Sequence, residues 1–134
     1  MTELRSILLA EDNSNDVELT LAGLAELHLA NEVAVVRDGA EALDYLYGRG
    51  KYASRHNGNP AVVLLDLKMP KMDGLQVLSE IKTSEKFKSI PVVMLTSSAQ
   101  DSDLAKSYEL GANAYVVKPV NFREFINEIG RAHV

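Results

Sequence analysis

The 134-residue sequence predicts an α/β domain, a parallel sheet covered by helices on both faces. Three observations carry this reading. Short apolar runs recur along the chain, at Leu8-Leu9-Ala10, Val62-Val63-Leu64-Leu65, Val92-Val93-Met94-Leu95 and Ala114-Tyr115-Val116-Val117. They lack the strict polar alternation of a strand that faces water on one side, so they fit strands buried on both faces. The segments between them carry apolar residues at helical spacing, and parallel strands require crossover connections of that kind. Each run ends in groups able to do chemistry: Glu11-Asp12, Asp66, Thr96-Ser97 and Lys118-Pro119. Parallel strands gather those ends at one edge, where open α/β sheets bind their ligands.

The first strand is read at Ser6 to Ala10. Asp12-Asn13-Ser14-Asn15-Asp16 then supplies turn and helix-capping residues, and Val17, Leu19, Leu21, Leu24, Leu27 and Leu29 follow at helical spacing, giving a first helix from about Ser14 to Leu29. Valine-rich Glu32 to Val36 is the second strand. Asp38-Gly39 turns into a second helix carrying Ala40, Ala42, Leu43 and Leu46, stopping near Gly48. Gly48 to Pro60, with Gly50, Asn57, Gly58, Asn59 and several basic residues, is the longest irregular stretch and reads as a flexible insertion. Ala61 to Asp66 is the third strand, and a third helix carries Leu75, Val77, Leu78 and Ile81. Pro91 to Thr96 is the fourth strand, Asp101 to Leu110 the fourth helix with Gly111 as its C-terminal stop, Ala114 to Val117 the fifth strand and Phe122 to Arg131 the fifth helix. Right-handed crossovers and five β/α steps imply a flavodoxin-like (βα)5 sheet of order 2-1-3-4-5, with the first and third strands adjacent at the switch point.

Composition sets the bounds. The length fits one domain, expected to span residues 1–134 with no output domain. Hydrophobic residues at 46% and charged residues at 25% are those of a globular protein rather than a disordered one. A net charge of −5 argues against a nucleic-acid binder, which would carry a basic patch. The absence of cysteine removes disulfides and thiolate metal sites and suits a reducing cytosol. No signal peptide opens the chain, and no apolar run approaches the roughly 18 residues of a membrane span. The expectation is a cytoplasmic protein without membrane or nucleic-acid partners.

Glu11, Asp12 and Asp66 would meet at the switch point, and three close carboxylates repel one another unless a positive group holds them ionised. The donors are all oxygen, with no histidine or cysteine at the strand ends, so Mg2+ fits better than zinc or copper. Asp66 is placed to act as a nucleophile and form an aspartyl phosphate. Lys118 offers a point charge for Asp66 or a phosphoryl oxygen, and Thr96 a hydroxyl donor. Pro119 makes Lys118-Pro119 a candidate cis peptide that would aim the lysine inward. Tyr115 reads, on its own, as a half-buried aromatic that supports packing.

From about Ser6 to Arg131 the chain resembles the receiver domain of two-component response regulators. The resemblance is carried by Glu11-Asp12, by Asp66 within Leu65-Asp66-Leu67-Lys68-Met69-Pro70-Lys71-Met72-Asp73-Gly74, by Thr96 and by Lys118-Pro119. It implies that Asp66 accepts a phosphoryl group from a sensor histidine kinase or phosphotransfer protein. Asp12, Asp66 and the backbone carbonyl of Lys68 would ligate Mg2+, with Glu11 acting mostly through coordinated water. The domain would catalyse its own phosphorylation and dephosphorylation without being a classical enzyme. Thr96 and Tyr115 would form the switch, biasing the face of helix four, strand five and helix five, which is also the expected homodimer surface, with Phe122 and Phe125 on its last helix. Tyr47-Gly48-Arg49-Gly50-Lys51-Tyr52 and Asn113 to Pro119 resemble the stand-alone receivers associated with bacterial phytochromes. Ser97, where small residues are common in the family, and Lys68 depart from the usual pattern and would alter phosphate lifetime.

Other classes fit less well. A phosphorylation-independent interaction module would not be expected to keep the acidic pair, acceptor and lysine together. A haloacid-dehalogenase-like phosphohydrolase wants an acid two residues after the nucleophile, where Lys68 stands. A flavin site wants a hydroxyl- and glycine-rich loop after the first strand, where Glu11-Asp12-Asn13 stands. His28, His56 and His133 are scattered and read as surface residues.

Overall fold

A computed structural model of the chain describes residues 6–27, 32–55 and 58–118. Five strands lie in one parallel sheet: β1 (Ile7–Ala10), β2 (Val33–Val36), β3 (Val62–Asp66), β4 (Val92–Thr96) and β5 (Ala114–Val117). Their order is β2-β1-β3-β4-β5, as the switch-point argument expected. Among the described residues four helices connect them: α1 (Ser14–Leu27), α2 (Gly39–Tyr47), α3 (Gly74–Thr83) and α4 (Ser102–Glu109). The expected fifth helix, with Phe122 and Phe125, lies outside the described residues, as do Pro119 and the three histidines.

The continuous apolar runs are explained by packing on both faces. Leu8, Ala10, Val63, Leu65 and Met94 point to one layer with α2, α3 and Leu104 of α4. Ile7, Leu9, Val62, Leu64, Val93 and Leu95 point to the other, against Val17 and Leu24 of α1. Every residue of β1, β3 and β4 is buried, which only apolar side chains allow at low cost.

Helix ends follow the local sequence. The Asp38 side chain accepts the Glu41 N–H at 2.8 Å, and Gly48, at φ 67°, ends α2 in the left-handed conformation that glycine adopts without penalty. Asp73 and Gln76 form a reciprocal capping box at the start of α3. Asp101 caps α4 by accepting the Asp103 N–H at 2.9 Å.

The insertion after α2 differs from the flexible loop expected from its composition. It contains one 3-10 turn (Gly50–Tyr52) and is tied back to α2. The Tyr52 hydroxyl donates to Glu41 at 2.6 Å, and Lys51 pairs with the same carboxylate at 3.0 Å. Arg55 lies 4.1 Å above the Tyr45 ring and donates to the Tyr45 and Leu46 carbonyls at 2.9 and 3.3 Å, among the last carbonyls of the helix. The basic residues that helped suggest a flexible loop, together with Tyr52, are the ones that fasten it. Among the described residues no helix is long and apolar enough to cross a membrane.

Candidate functional site

The strand register brings the four run ends level. Ala10 lies opposite Leu65, Asp66 opposite Leu95, and Thr96 opposite Val117. The ladder extends past the strands through Glu11 N–H to the Val36 carbonyl (3.0 Å), Leu67 N–H to Leu95 (2.9 Å) and Lys118 N–H to Thr96 (2.7 Å). Glu11, Asp12, Asp66, Thr96 and Lys118 therefore line one cavity of about 210 Å³ at the carboxyl edge, together with Asp16, Lys68 and Ser97.

Glu11, Asp12 and Asp66 each present an oxygen, and the three oxygens lie within 4.8 Å of one another. Glu11 is fully buried and Asp66 is 4% exposed, while Asp12 faces solvent. Gly74 supports Asp66 from behind. A Cβ there would overlap the Asp66 carbonyl and come within 2.9 Å of Leu67 Cα, so the start of α3 packs directly on the backbone that carries the carboxylate.

The Lys118 ammonium lies 3.1 Å from Glu11 Oε1, 3.0 Å from Asp16 Oδ2 and 3.4 Å from Asp66 Oδ1. Sequence reasoning placed Lys118 against Asp66 but left Asp16 among turn and capping residues. The capping role belongs to Asn13, whose side chain accepts the Asp16 N–H at 3.0 Å, which leaves the Asp16 carboxylate free to face the lysine from the first turn of α1.

Burial, followed by the hydrogen bond and charge of Glu11, pushes the Asp66 carboxyl up to about 7, against the opposing pull of Lys118 and the Lys68 N–H. Burial works against the Lys118 ammonium, but Asp16, Asp66 and Glu11 outweigh it and raise its pKa. Lys118 is thus charged whenever the carboxylates are, and the site still lacks positive charge. That shortage, with an all-oxygen donor set, fits a hard divalent cation.

Thr96 reaches the site edge, but its hydroxyl is turned to its own loop, donating to the Ser98 carbonyl at 3.0 Å and accepting the Ser98 N–H at 3.3 Å. Tyr115 is half-buried against the core layer, its ring edge-on to Tyr108 of α4 at 6.2 Å. The Lys68 N–H points to Asp66 Oδ1 at 3.4 Å, whereas its side chain leaves the cavity and pairs with Asp103 at 2.5 Å and Asp101 at 3.9 Å. The Asp103 hydrogen bond raises the Lys68 pKa.

The fold and site define a class: parallel α/β domains with an acidic, oxygen-lined cavity at the switch point and a lysine bridging its carboxylates. The chain belongs to the response regulator receiver domain family, whose pattern matches residues 7–130. Its relatives include phytochrome response regulators. The structure of the bacteriophytochrome response regulator AtBRR is 59% identical, with a TM-score of 0.91, covering 99% of this chain and 95% of that one. The phosphorylated cyanobacterial phytochrome response regulator RcpA is 41% identical at a TM-score of 0.80, covering 95% of this chain and 90% of its own. Response regulator Rcp1 of Synechocystis is 38% identical over 123 residues, 92% of this chain and 82% of that protein. Its Mn(2+)-bound structure aligns at a TM-score of 0.75, covering 94% of this chain and 90% of its own. The expected phytochrome-type resemblance is borne out, and the protein is a signalling receiver rather than a classical enzyme.

Proposed function

We propose that this receiver takes a phosphoryl group onto Asp66 from a histidine kinase or phosphotransfer protein, and that a phytochrome-type sensor supplies it. The observation that carries the reading is the convergence of Glu11, Asp12 and Asp66 oxygens within 4.8 Å around a buried acceptor, with the Lys118 ammonium 3.4 Å from it. The relatives that support the kinase class are phytochrome response regulators, one phosphorylated and one holding Mn(2+).

Mg2+ would be held by Asp12, Asp66 and the Lys68 carbonyl, with Glu11 contacting it through water, and when bound it supplies the positive charge this cavity lacks. The remaining chemistry belongs to the chain. An ionised Asp66 oxygen attacks phosphorus in line, the new O–P bond forming as the donor's P–N bond breaks and its electron pair returns to the imidazole. Lys118 balances charge building on the phosphoryl oxygens. The Thr96 hydroxyl exchanges the Ser98 carbonyl for a phosphoryl oxygen, and the β4–α4 loop follows it inward while Tyr115 turns into the space left behind. Hydrolysis later resets the site. Signalling then runs through the α4–β5 face in the cytoplasm, by protein contact, by pairing with a second copy or by onward phosphotransfer.

Incubating wild type and Asp66→Asn with acetyl phosphate, with and without Mg2+, and reading intact mass after acid quench tests this. One Mg2+-dependent phosphoryl addition to wild type alone is expected. Equal addition to Asp66→Asn, or none to a folded wild type that binds Mg2+, would refute it.

A further inference from the structure

We infer that Lys68 is a positioning residue of the switch, a latch that holds the first turn of α4 to the loop carrying Asp66 until a phosphoryl group arrives. The inference rests on the phosphoacceptor role proposed for Asp66.

Lys68 stands at a junction. Its backbone follows Asp66 by two residues, and its ammonium reaches 35 residues along the chain to Asp103, 2.5 Å away, and lies 3.9 Å from Asp101. Asp101 and Asp103 are the cap and first turn of α4 and are bonded to each other, so the lysine grips the helix at its start. Among the described residues α4 has a slender apolar anchorage, to which Tyr108 adds its edge-on contact with Tyr115. Of its eight residues only Leu104 and Ser107 are buried, and the Ser107 hydroxyl is used within the helix, on the Leu104 carbonyl at 2.6 Å. A helix with one buried apolar anchor belongs to the part of a fold that shifts at low cost, and there an ion pair of ordinary strength can decide position.

The loop before α4 passes that hold back to the site. Ser98 is bonded to Thr96 on one side, and its carbonyl accepts the Asp101 N–H at 3.2 Å on the other. Thr96 to Asp101 is therefore one hydrogen-bonded bracket. Drawing Thr96 toward Asp66 moves Ser98, and with it the end of the bracket that Lys68 grips. Lys68 has a flexible stem and a side chain 63% exposed, so it can change partner without disturbing the core. A phosphoryl group on Asp66 places nearly two negative charges two residues from it, in competition with Asp103. The ion pair thus opposes the switch at rest and weakens when the switch is thrown.

A double-mutant cycle over Lys68→Met, Asp103→Asn and their combination tests the latch. Urea unfolding would be followed in Mg2+ alone and in Mg2+ with saturating beryllofluoride, a phosphoryl mimic. Asp103→Asn keeps the side-chain shape and leaves the Asp101 cap in place. In Mg2+ alone, the pair should couple so that the unfolding equilibrium changes by about two- to fivefold beyond the product of the single effects. With beryllofluoride bound the coupling should vanish, and Asp103→Asn should bind beryllofluoride about two- to fivefold more tightly than wild type, because the latch no longer opposes it. Coupling of equal size in both conditions would mark a merely structural pair and overturn the proposal, as would no coupling in Mg2+ alone. Coupling in Mg2+ alone, with a wild type that does not bind beryllofluoride, would instead show that the phosphoacceptor reading has failed and has taken the latch with it.

Discussion

Replacing Asp66 with asparagine should stabilise the metal-free domain at neutral pH, although it removes the proposed acceptor. The carboxyl is 4% exposed, lies beside a fully buried Glu11, and is pushed from its ordinary 3.8 up to about 7. At about 1.36 kcal/mol for each pH unit, that rise sets a ceiling of about 4 kcal/mol on the cost of its charge. Glu11 and Asp66 compete for one ammonium, so part of the cost is shared, and about 2 kcal/mol is the expected gain in Asp66→Asn at neutral pH. The sign follows from proton binding. Between 3.8 and about 7 the folded protein holds a proton that the unfolded chain has lost, so the stability tied to this group is full below that window and lost as pH rises through it. Asparagine cannot ionise, so the advantage of the variant must grow with pH. Urea unfolding in chelator should show a gain larger by about 1–2 kcal/mol at about pH 8 than at about pH 5. Saturating Mg2+ should shrink it, because wild type recovers stability by binding the ion. A gain independent of pH, or an Asp66→Asn protein less stable than wild type at about pH 8, would refute the electrostatic account.

Lys118→Met leaves fully buried Glu11 facing Asp66 and Asp16 without a counter-charge, and should cost about 3 kcal/mol at neutral pH in urea unfolding. That loss should diminish as pH falls and Asp66 takes up a proton; a variant as stable as wild type would show that the lysine does not balance the site. Gly74→Ala forces a methyl into the Asp66 and Leu67 backbone and should cost about 1–3 kcal/mol, with slower labelling by acetyl phosphate because Asp66 is displaced. Unchanged labelling in a destabilised Gly74→Ala protein would separate the two effects and sink the second. Tyr52→Phe removes the 2.6 Å bond to Glu41 and should cost about 1 kcal/mol while leaving phosphorylation unchanged, since the insertion is fastened to α2 away from the cavity.

How much of this was legible depended on what each residue's position is decided by. The sheet was readable because strands buried on both faces tolerate almost nothing but apolar residues, so β1, β3 and β4 stood out, as did β5 with one face half-buried, and their ends named Glu11, Asp66, Thr96 and Lys118. The stop expected near Gly48 and the fourth helix expected from Asp101 to Leu110 fell within one residue of α2's end and of α4, because Gly48 and Asp101 act through local backbone chemistry. Asp16 was not readable as a site residue, since its identity also satisfies a helix start and only the third dimension sets Lys118 beside it. The same holds for the hydroxyl of Thr96, which local hydrogen bonding turns toward Ser98, a choice made by one rotamer. The insertion misled for a physical reason. Glycine, asparagine and basic residues are what a solvated loop contains, but Arg55 and Tyr52 find partners on α2 that no local pattern announces.

The arrangement of charge ties these observations together. Lys118 sits 3.0 to 3.4 Å from carboxylates on three different elements, after β1, in the first turn of α1 and at the end of β3. A cation shared in this way is held by the sum of its neighbours and responds when any one of them changes. On the proposed chemistry, phosphorylation replaces the single charge of Asp66 with nearly two and shifts the centre of negative charge outward from β3. Lys118 is then drawn from Asp16 toward the phosphoryl oxygens. Lys68, two residues along the chain from the same carboxylate, is drawn from Asp103. One lysine tightens the site while the other releases α4, so a single covalent change at Asp66 acts on both α1 and α4. Because the Thr96 bracket ends at the helix Lys68 grips, on the proposed latch that grip opposes the movement of the hydroxyl until it loosens, and this links the chemical step to the surface that would signal it.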